Sequence, residues 1–452
     1  MDDKDLDKSS TFGRARRYAK VSTTMGGLAA KLVGQKYFGR VIDKPEHARA
    51  LTEALGGLKG PLLKVAQLLA TIPQALPPEY VQELQQLQAD APPMGWPFVK
   101  RRMRAELGAD WQDKFSEFSK EAVAAASLGQ VHRATSLDGQ DIACKLQYPD
   151  MLSAVKSDLS QLKTVLSIFE RIDKAVSTED IFEEIKERLY EELDYTREAK
   201  HARLYDYMLR DEDNIHVPKV VDDLSTDRLL CATWLEGERI LNFKDASAEQ
   251  RAELALNMFR AWYVPLYFYG VIHGDPHLGN YTVQKGNGIN LLDFGCVRIF
   301  PPSFVQGVID LYNALSQDDL DLAVHAYESW GFENLSKDLL EVLNTWARFL
   351  YGPILDNKKR TIGTVEEGAG VYGRETAHKV HQELRKAGGV KVPREFVFMD
   401  RAALGLGSVF IHLQAEVNWY QMFHDLVQDF DVDVLSKRQT EALAKFDLID
   451  PA

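Results

Sequence analysis

Two short runs carry the residues best suited to chemistry, HGDPHLGN from His273 to Asn280 and LLDFG from Leu291 to Gly295. Asp275 is a carboxylate able to orient an attacking hydroxyl or water. Asn280, five residues on, offers an amide oxygen, and Asp293, thirteen further, offers a second carboxylate at a strand end. Such oxygen ligands suit Mg²⁺ bridging the phosphates of a nucleotide, and phosphoryl transfer needs positioned charge more than covalent chemistry. Either run alone is weak, because Asp-Phe-Gly occurs by chance. Their order and gap make the pair specific against the competing reading, turns flanking a hairpin with its tip at Gly286 and Gly288.

Asp-x4-Asn followed by Asp-Phe-Gly is the spacing of protein kinases, whose chemistry needs further parts upstream. Lys145, in DIACKLQYP, sits between Cys144 and Leu146 on the third strand-like element and matches the lysine that holds nucleotide phosphates. Glu198, in DYTREA, is the candidate carboxylate partner from a following helix, although that helix is rich in acids and spacing alone does not single it out. Trp234 and Glu236, at the end of RLLCATWL, are candidate ATP contacts at a hinge. The glycine-rich loop expected over the phosphates is replaced by Ala124-Ala125-Ala126-Ser127. Alanine disfavours the φ values that bring backbone amides to phosphates, so this turn should be stiffer and bind nucleotide differently; an alanine-rich strand or helix end packed in a core is the other reading. After Asp-Phe-Gly-Cys-Val-Arg the chain runs into Ile-Phe-Pro-Pro and a helical pattern from Ser303, with no long segment ending in Ala-Pro-Glu. Gly274 stands where kinases carry the arginine that reads activation-loop phosphate. Phosphorylation of other proteins is therefore not expected.

These residues need elements to hold them. Residues 44–106 read as helical, with an apolar surface of Leu62, Leu63, Val65, Ala66, Leu68 and Leu69 broken by Pro73, Pro77 and Pro78. From Phe115 to Tyr148 the pattern is strand-like, and Asp138-Gly139 between GQVHRATSL and QDIACKLQYP predicts a hairpin. Helical periodicity returns from Met151 to about Met208, short strands follow at HVPKVV and RLLCATWL, and beyond Gly237 the chain is mostly helical.

Together the motifs resemble the UbiB/AarF-type atypical kinases, the kinase-like family tied to ubiquinone (coenzyme Q) biosynthesis. AAASLGQVHRA, ACKLQYP, EELDYTREA, HGDPHLGN and LLDFG stand in family order, and the alanine-rich loop is a family signature. The resemblance implies an α+β, protein-kinase-like bilobal fold with a small β-containing N-lobe at 111–236 and a helical C-lobe at 237–452. A helical extension at 51–110 would lie over the active site, preceded by a basic arm at 1–50. It implies that Ala124–Ser127 is the nucleotide loop, that Lys145 and Glu198 form the phosphate-binding pair, that Asp275 is the catalytic-loop aspartate, and that Asn280 and Asp293 bind Mg²⁺. The family's extension carries Lys-x-Gly-Gln; here it is Lys64-Val65-Ala66-Gln67, whose family partners are similar to Glu192 and Asp194. ATP and Mg²⁺ binding, slow ATP hydrolysis, suppressed protein-kinase activity and stimulation by membranes with precursor lipids are likewise implied. So are contacts with quinone-biosynthesis enzymes.

Composition sets the remaining limits. The chain has 452 residues, 45% of them hydrophobic, and a formal charge of -13, which excludes a disordered chain and counts against a nucleic-acid coat. From Ser9 to Ile42 there are seven basic residues and no acid, so the rest carries -20. That arm is either an anchor on anionic lipid, where each Lys or Arg adds ~1 kcal/mol, or a solvated arm docking on the acidic body. Three cysteines far apart in sequence cannot build a disulfide framework and suit a reducing compartment. With no signal or transit peptide and no run of ~18 apolar residues, the expected location is a bacterial cytoplasm, peripheral to the inner membrane. Two other functions compete: a small-molecule phosphotransferase of the aminoglycoside or choline-kinase type, and a nucleotide-binding pseudokinase scaffold.

Overall fold

The computed structural model describes residues 94–125, 128–172, 178–274, 278–363 and 394–449. The basic arm, Lys64, Ala66, Gln67, Ala126, Ser127 and Asp275 lie outside the described residues. The chain divides into two compact units, one of residues 1–197 and 220–234 and one of 198–219 and 235–452.

In chain order the first elements are α1 (Trp96–Leu107), β1 (Phe115–Phe118), β2 (Ala124–Ala125), β3 (Gly129–Ser136), β4 (Asp141–Gln147), α2 (Met151–Ile172), α3 (Thr178–Glu191), α4 (Tyr195–Met208), β5 (Ile215–His216) and β6 (Leu229–Thr233). Pro97 starts α1, where a missing N–H costs nothing, and Gly108 ends it. β1, β3, β4 and β6 form an antiparallel sheet in that order, with β2 also paired to β3. The expected β3–β4 hairpin is present, with Gly139 at φ 85° in its turn. One face of the sheet buries Ala134, Ile142, Cys144, Leu146, Leu229 and Cys231 against Val99 and Met103 of α1. Trp111, Phe115 and Phe118 close that core edge-on, with centroids 5.2 to 6.2 Å apart. Alternation along β4 leaves Lys145 on the opposite face from Cys144 and Leu146.

The second unit continues with β7 (Glu238–Arg239), α5 (Ala248–Tyr269), β8 (Val271–His273), β9 (Tyr281–Val283), β10 (Ile289–Leu291), β11 (Val297–Ile299) and α6 (Pro302–Gln317). Helices α7 (Leu320–Ser329), α8 (Lys337–Leu355), α9 (Arg394–Leu413), α10 (Trp419–Val427) and α11 (Val432–Lys445) complete it. α5 buries most of its length from Leu254 onward, begins at a Ser247 cap and stops at Gly270, after which β8 follows at once. Gln439 of α11 donates to the carbonyls of Tyr269 and Phe300, 2.8 Å each, and so ties the C-terminal helix to the ends of α5 and β11. β9 and β10 form a second hairpin, flanked by β7 and β5, and β8 pairs antiparallel with β11. Only six residues, Cys296 to Pro301, separate Gly295 from α6. Among the described residues no helix is long and apolar enough to cross a membrane.

Candidate functional site

The β9–β10 hairpin brings Asn280 and Asp293 together. Asn280 ends a single helical turn, Leu278–Asn280, directly before β9. Leu291 faces Tyr281 across the ladder, and the next bond, Leu292 N–H to Asn280 O at 3.0 Å, keeps the two strands in step one residue beyond it. Asp293 therefore leaves β10 beside the turn that carries Asn280. A tight tip closes the other end: Gln284 N–H donates to Gly288 O at 2.7 Å, with Gly286 and Asn287 at positive φ. Asn290, fully buried, braces the hairpin: its amide donates to Thr282 Oγ1 (2.9 Å) and to the Glu236 carbonyl (3.1 Å) and accepts from Gln284 Nε2 (2.7 Å).

Asp293, Phe294 and Gly295 are gripped from two sides. His273 Nε2 donates to the Asp293 carbonyl at 2.6 Å, and His201 Nδ1 donates to the Phe294 carbonyl at 3.1 Å. Both acceptors are carbonyls, which assigns the proton in each ring. Asp293 Oδ1 turns back to accept from Gly295 N–H at 3.0 Å. The Phe294 ring is buried against Tyr205, 5.2 Å between centroids, and against His273 at 6.2 Å. Glu198, His201 and Tyr205 lie three and seven positions apart on one face of α4, and all three are buried. Glu198 Oε2 lies 3.8 Å from where a Cβ on Gly295 would stand, so this carboxylate and Asp293 flank the same glycine. Burial, with the neighbouring Cys296 thiol adding to it, drives the Tyr205 phenol well above its ordinary pKa and keeps it neutral.

Gly274 has a steric reason to lack a side chain. Its N–H donates to the Cys296 carbonyl at 2.6 Å as β8 meets β11, and a Cβ there would stand 2.7 Å from Cys296 Sγ. Any side chain in this place must displace the Cys296 thiol. The departure from the kinase pattern at Gly274 is thus matched by the short connection after Gly295, which returns to β8 instead of extending outward.

In the first unit, Ala124, Val131, Lys145 and Leu230 form one rung across β2, β3, β4 and β6. Residues opposed in this way share a face, so the start of the alanine-rich run and Lys145 lie on the same side of the sheet. Lys145 Nζ stands 5.3 Å over the ring of Tyr195, the buried first residue of α4. Asp194 caps that helix, Oδ1 accepting from Arg197 N–H at 2.8 Å, and Gln147 Nε2 holds the intervening Leu193 carbonyl at 3.0 Å. Glu192 is half-buried in the same turn. The Trp234 ring lies 4.9 Å from the Arg133 guanidinium, while Glu236 belongs to the second unit, where its side chain is exposed and its carbonyl meets Asn290. The structure brings Asn280, Asp293 and Glu198 into one unit and Lys145 with Ala124 and Ala125 into the other. His201, Tyr205 and Asn290 escape the motifs; the spacing of His201 and Tyr205 from Glu198 was the available signal, and nothing in the sequence marks Asn290.

The ABC1 atypical kinase-like domain matches residues 86–326. The chain belongs to the ABC1 atypical kinase-like family. The resemblance to UbiB-type proteins therefore holds, and the fold is kinase-like, with a β-sheet N-lobe and a helical C-lobe. The yeast mitochondrial atypical kinase COQ8 is 30% identical over 306 residues, 66% of this chain and 61% of its own length. The Arabidopsis chloroplastic protein ACTIVITY OF BC1 COMPLEX KINASE 8 is 29% identical over 320 residues, 69% of this chain and 42% of its own. The chain spans about half the length of the curated relatives it matches. A Mycobacterium tuberculosis protein, Rv3197, solved as a complex with erythromycin, superposes with a TM-score of 0.59 at 25% identity, covering 84% of this chain and 96% of its own.

Proposed function

We propose that the chain binds ATP with Mg²⁺ and hydrolyses it slowly, as an atypical kinase-like ATPase serving ubiquinone or related lipid metabolism at a membrane surface. The hairpin that aligns Asn280 with Asp293, braced by the two histidines behind the Asp-Phe-Gly run, carries this reading. An amide oxygen and a carboxylate are the hard donors Mg²⁺ prefers, so the residues fit the ion. Bound Mg²⁺–ATP would supply the phosphoryl group and the charge that neutralises it. Asn280 and Asp293 would hold the metal, Lys145 the phosphates and Glu198 that lysine. The Ala124–Ser127 turn would cover the phosphates, with Trp234 and Glu236 at the adenine end. Asp275 would orient the attacking water or hydroxyl and accept its proton.

Lys64 and Gln67, with Glu192 and Asp194, are the proposed lid that keeps protein substrates out. The partners that fit are a quinone-precursor lipid, an anionic bilayer met by the basic arm, and enzymes of quinone biosynthesis. Purified protein with Mg²⁺ and ATP should hydrolyse slowly and faster with anionic liposomes. Full turnover in Asp293→Asn would overturn the nucleotide reading; normal quinone levels in a deletion strain would break only the pathway link. The erythromycin complex of the mycobacterial relative favours a second reading, small-molecule binding or phosphotransfer. A screen of small alcohols and macrolides for phosphate acceptance separates the two.

A further inference from the structure

Two cysteines distant in sequence meet in the sheet. β4 and β6 run antiparallel with Cys144 opposite Cys231. The bonds Gln147 N–H to Arg228 O and Trp234 N–H to Asp141 O mark positions 147 and 141 as hydrogen-bonded pairs, so 144 falls at a non-hydrogen-bonded one. Opposed residues at such positions have Cα atoms ~4.5 Å apart and side chains at their closest, within the span of a disulfide. Both side chains are thiols, both are fully buried, and their sulfurs lie 3.4 Å apart. The cluster around them is apolar, including Ile142, Leu146 and Leu229. No step of the proposed phosphoryl chemistry uses either thiol.

We propose that Cys144 and Cys231 are a modification site, converted by a two-electron oxidant of the peroxide class into a disulfide that bridges β4 and β6. One sulfur attacks the peroxide, breaking its O–O bond to give a sulfenic acid and one water. The second sulfur then displaces the sulfenic hydroxyl, its proton leaving with that oxygen as a second water. Two thiols are oxidised and one peroxide is reduced to two waters. Closing 3.4 Å to the S–S length of ~2.0 Å asks for side-chain rotation and a small approach of two strands already paired. The bond would pin the strand that carries Lys145, one residue after Cys144, to β6. The hydrogen bond with Cys144, together with burial, pushes the Cys231 thiol up, so Cys231 rests as the thiol and reaction waits on opening of the sheet. Higher pH should therefore speed it.

The test treats the folded full chain with hydrogen peroxide, removes the oxidant, then denatures and alkylates. The expected product has Cys144 and Cys231 protected from alkylation, their peptides joined, and a mass lower by about 2 Da, all reversed by dithiothreitol. Cys296, half-exposed beside Gly274, is scored separately, and a Cys296→Ala chain should give the same linked peptide. The proposal is overturned if both thiols alkylate fully while Cys296 is consumed. It is equally overturned if they gain oxygen without linking, or if the link forms in urea and not in the folded chain. None of these readings depends on nucleotide binding.

Discussion

His273 Nε2 donates to the backbone carbonyl of Asp293 at 2.6 Å, so the residue that opens one motif holds the central residue of the other. His201 does the same for Phe294 from α4, the helix that also carries Glu198. Removing either ring leaves a buried carbonyl without its donor, at a cost of about 1–3 kcal/mol. His201→Ala and His273→Ala should lower the unfolding free energy from urea titration by that amount. In the ATPase assay they should reduce kcat and raise the Mg²⁺ requirement, while His201→Asn, which keeps a donor near Nδ1, recovers part of both. A loss of stability with an unchanged Mg²⁺ titration would reduce both histidines to packing.

Gly274 and Cys296 should behave as one unit. Gly274→Ala puts a methyl 2.7 Å from Cys296 Sγ and should cost about 1–3 kcal/mol. Pairing it with Cys296→Gly should return part of that loss, a coupling that thermal unfolding of the two singles and the double measures directly. Gly274→Arg, which restores the kinase triad of residue types, should fold poorly and should not phosphorylate a peptide.

Asn290 makes three hydrogen bonds from a fully buried position. Asn290→Leu, similar in volume, leaves the Glu236 carbonyl and Gln284 amide unmatched and should destabilise by about 2–3 kcal/mol in urea titration. Asn290→Asp should be worse, because a carboxylate cannot donate to either oxygen partner.

Stability should fall on acidification through His132. Its ring is buried and stacked on Phe118, with Nδ1 donating to Ser119 O at 2.9 Å and Nε2 accepting from Gln130 Nε2 at 2.8 Å. Desolvation lowers its pKa, outweighing the Ser119 bond that raises it. A histidine held neutral in the folded state binds its proton more readily when unfolded. Its contribution is therefore complete above the unfolded pKa of ~6.5 and is lost as pH falls below it toward the lowered folded value. Unfolding measured from pH 7.5 to 5 should show this slope, and His132→Gln should flatten it. An unchanged slope would assign the acid sensitivity elsewhere.

The motifs were legible because phosphoryl-transfer chemistry fixes residue types at short spacings. Asn280 closes a single helical turn, Asp-Phe-Gly follows directly on a hairpin strand, and Asp138-Gly139 announces its own turn. Local geometry is enough to define such features. In the sheet, alternation along DIACKLQ sets Lys145 on the face away from Cys144.

Contacts between distant segments were decided only by the tertiary structure. His201 and Phe294 are 93 positions apart, Gln439 and Tyr269 are 170, and Cys144 and Cys231 are 87. Helix and strand periodicity says which face of an element is buried, not which partner it meets. Sequence alone determined which chemistry the residues are equipped for. Strand register and helix packing decided which buried groups hold them, because a hydrogen bond or thiol pair depends on ångström-scale placement that no local pattern encodes.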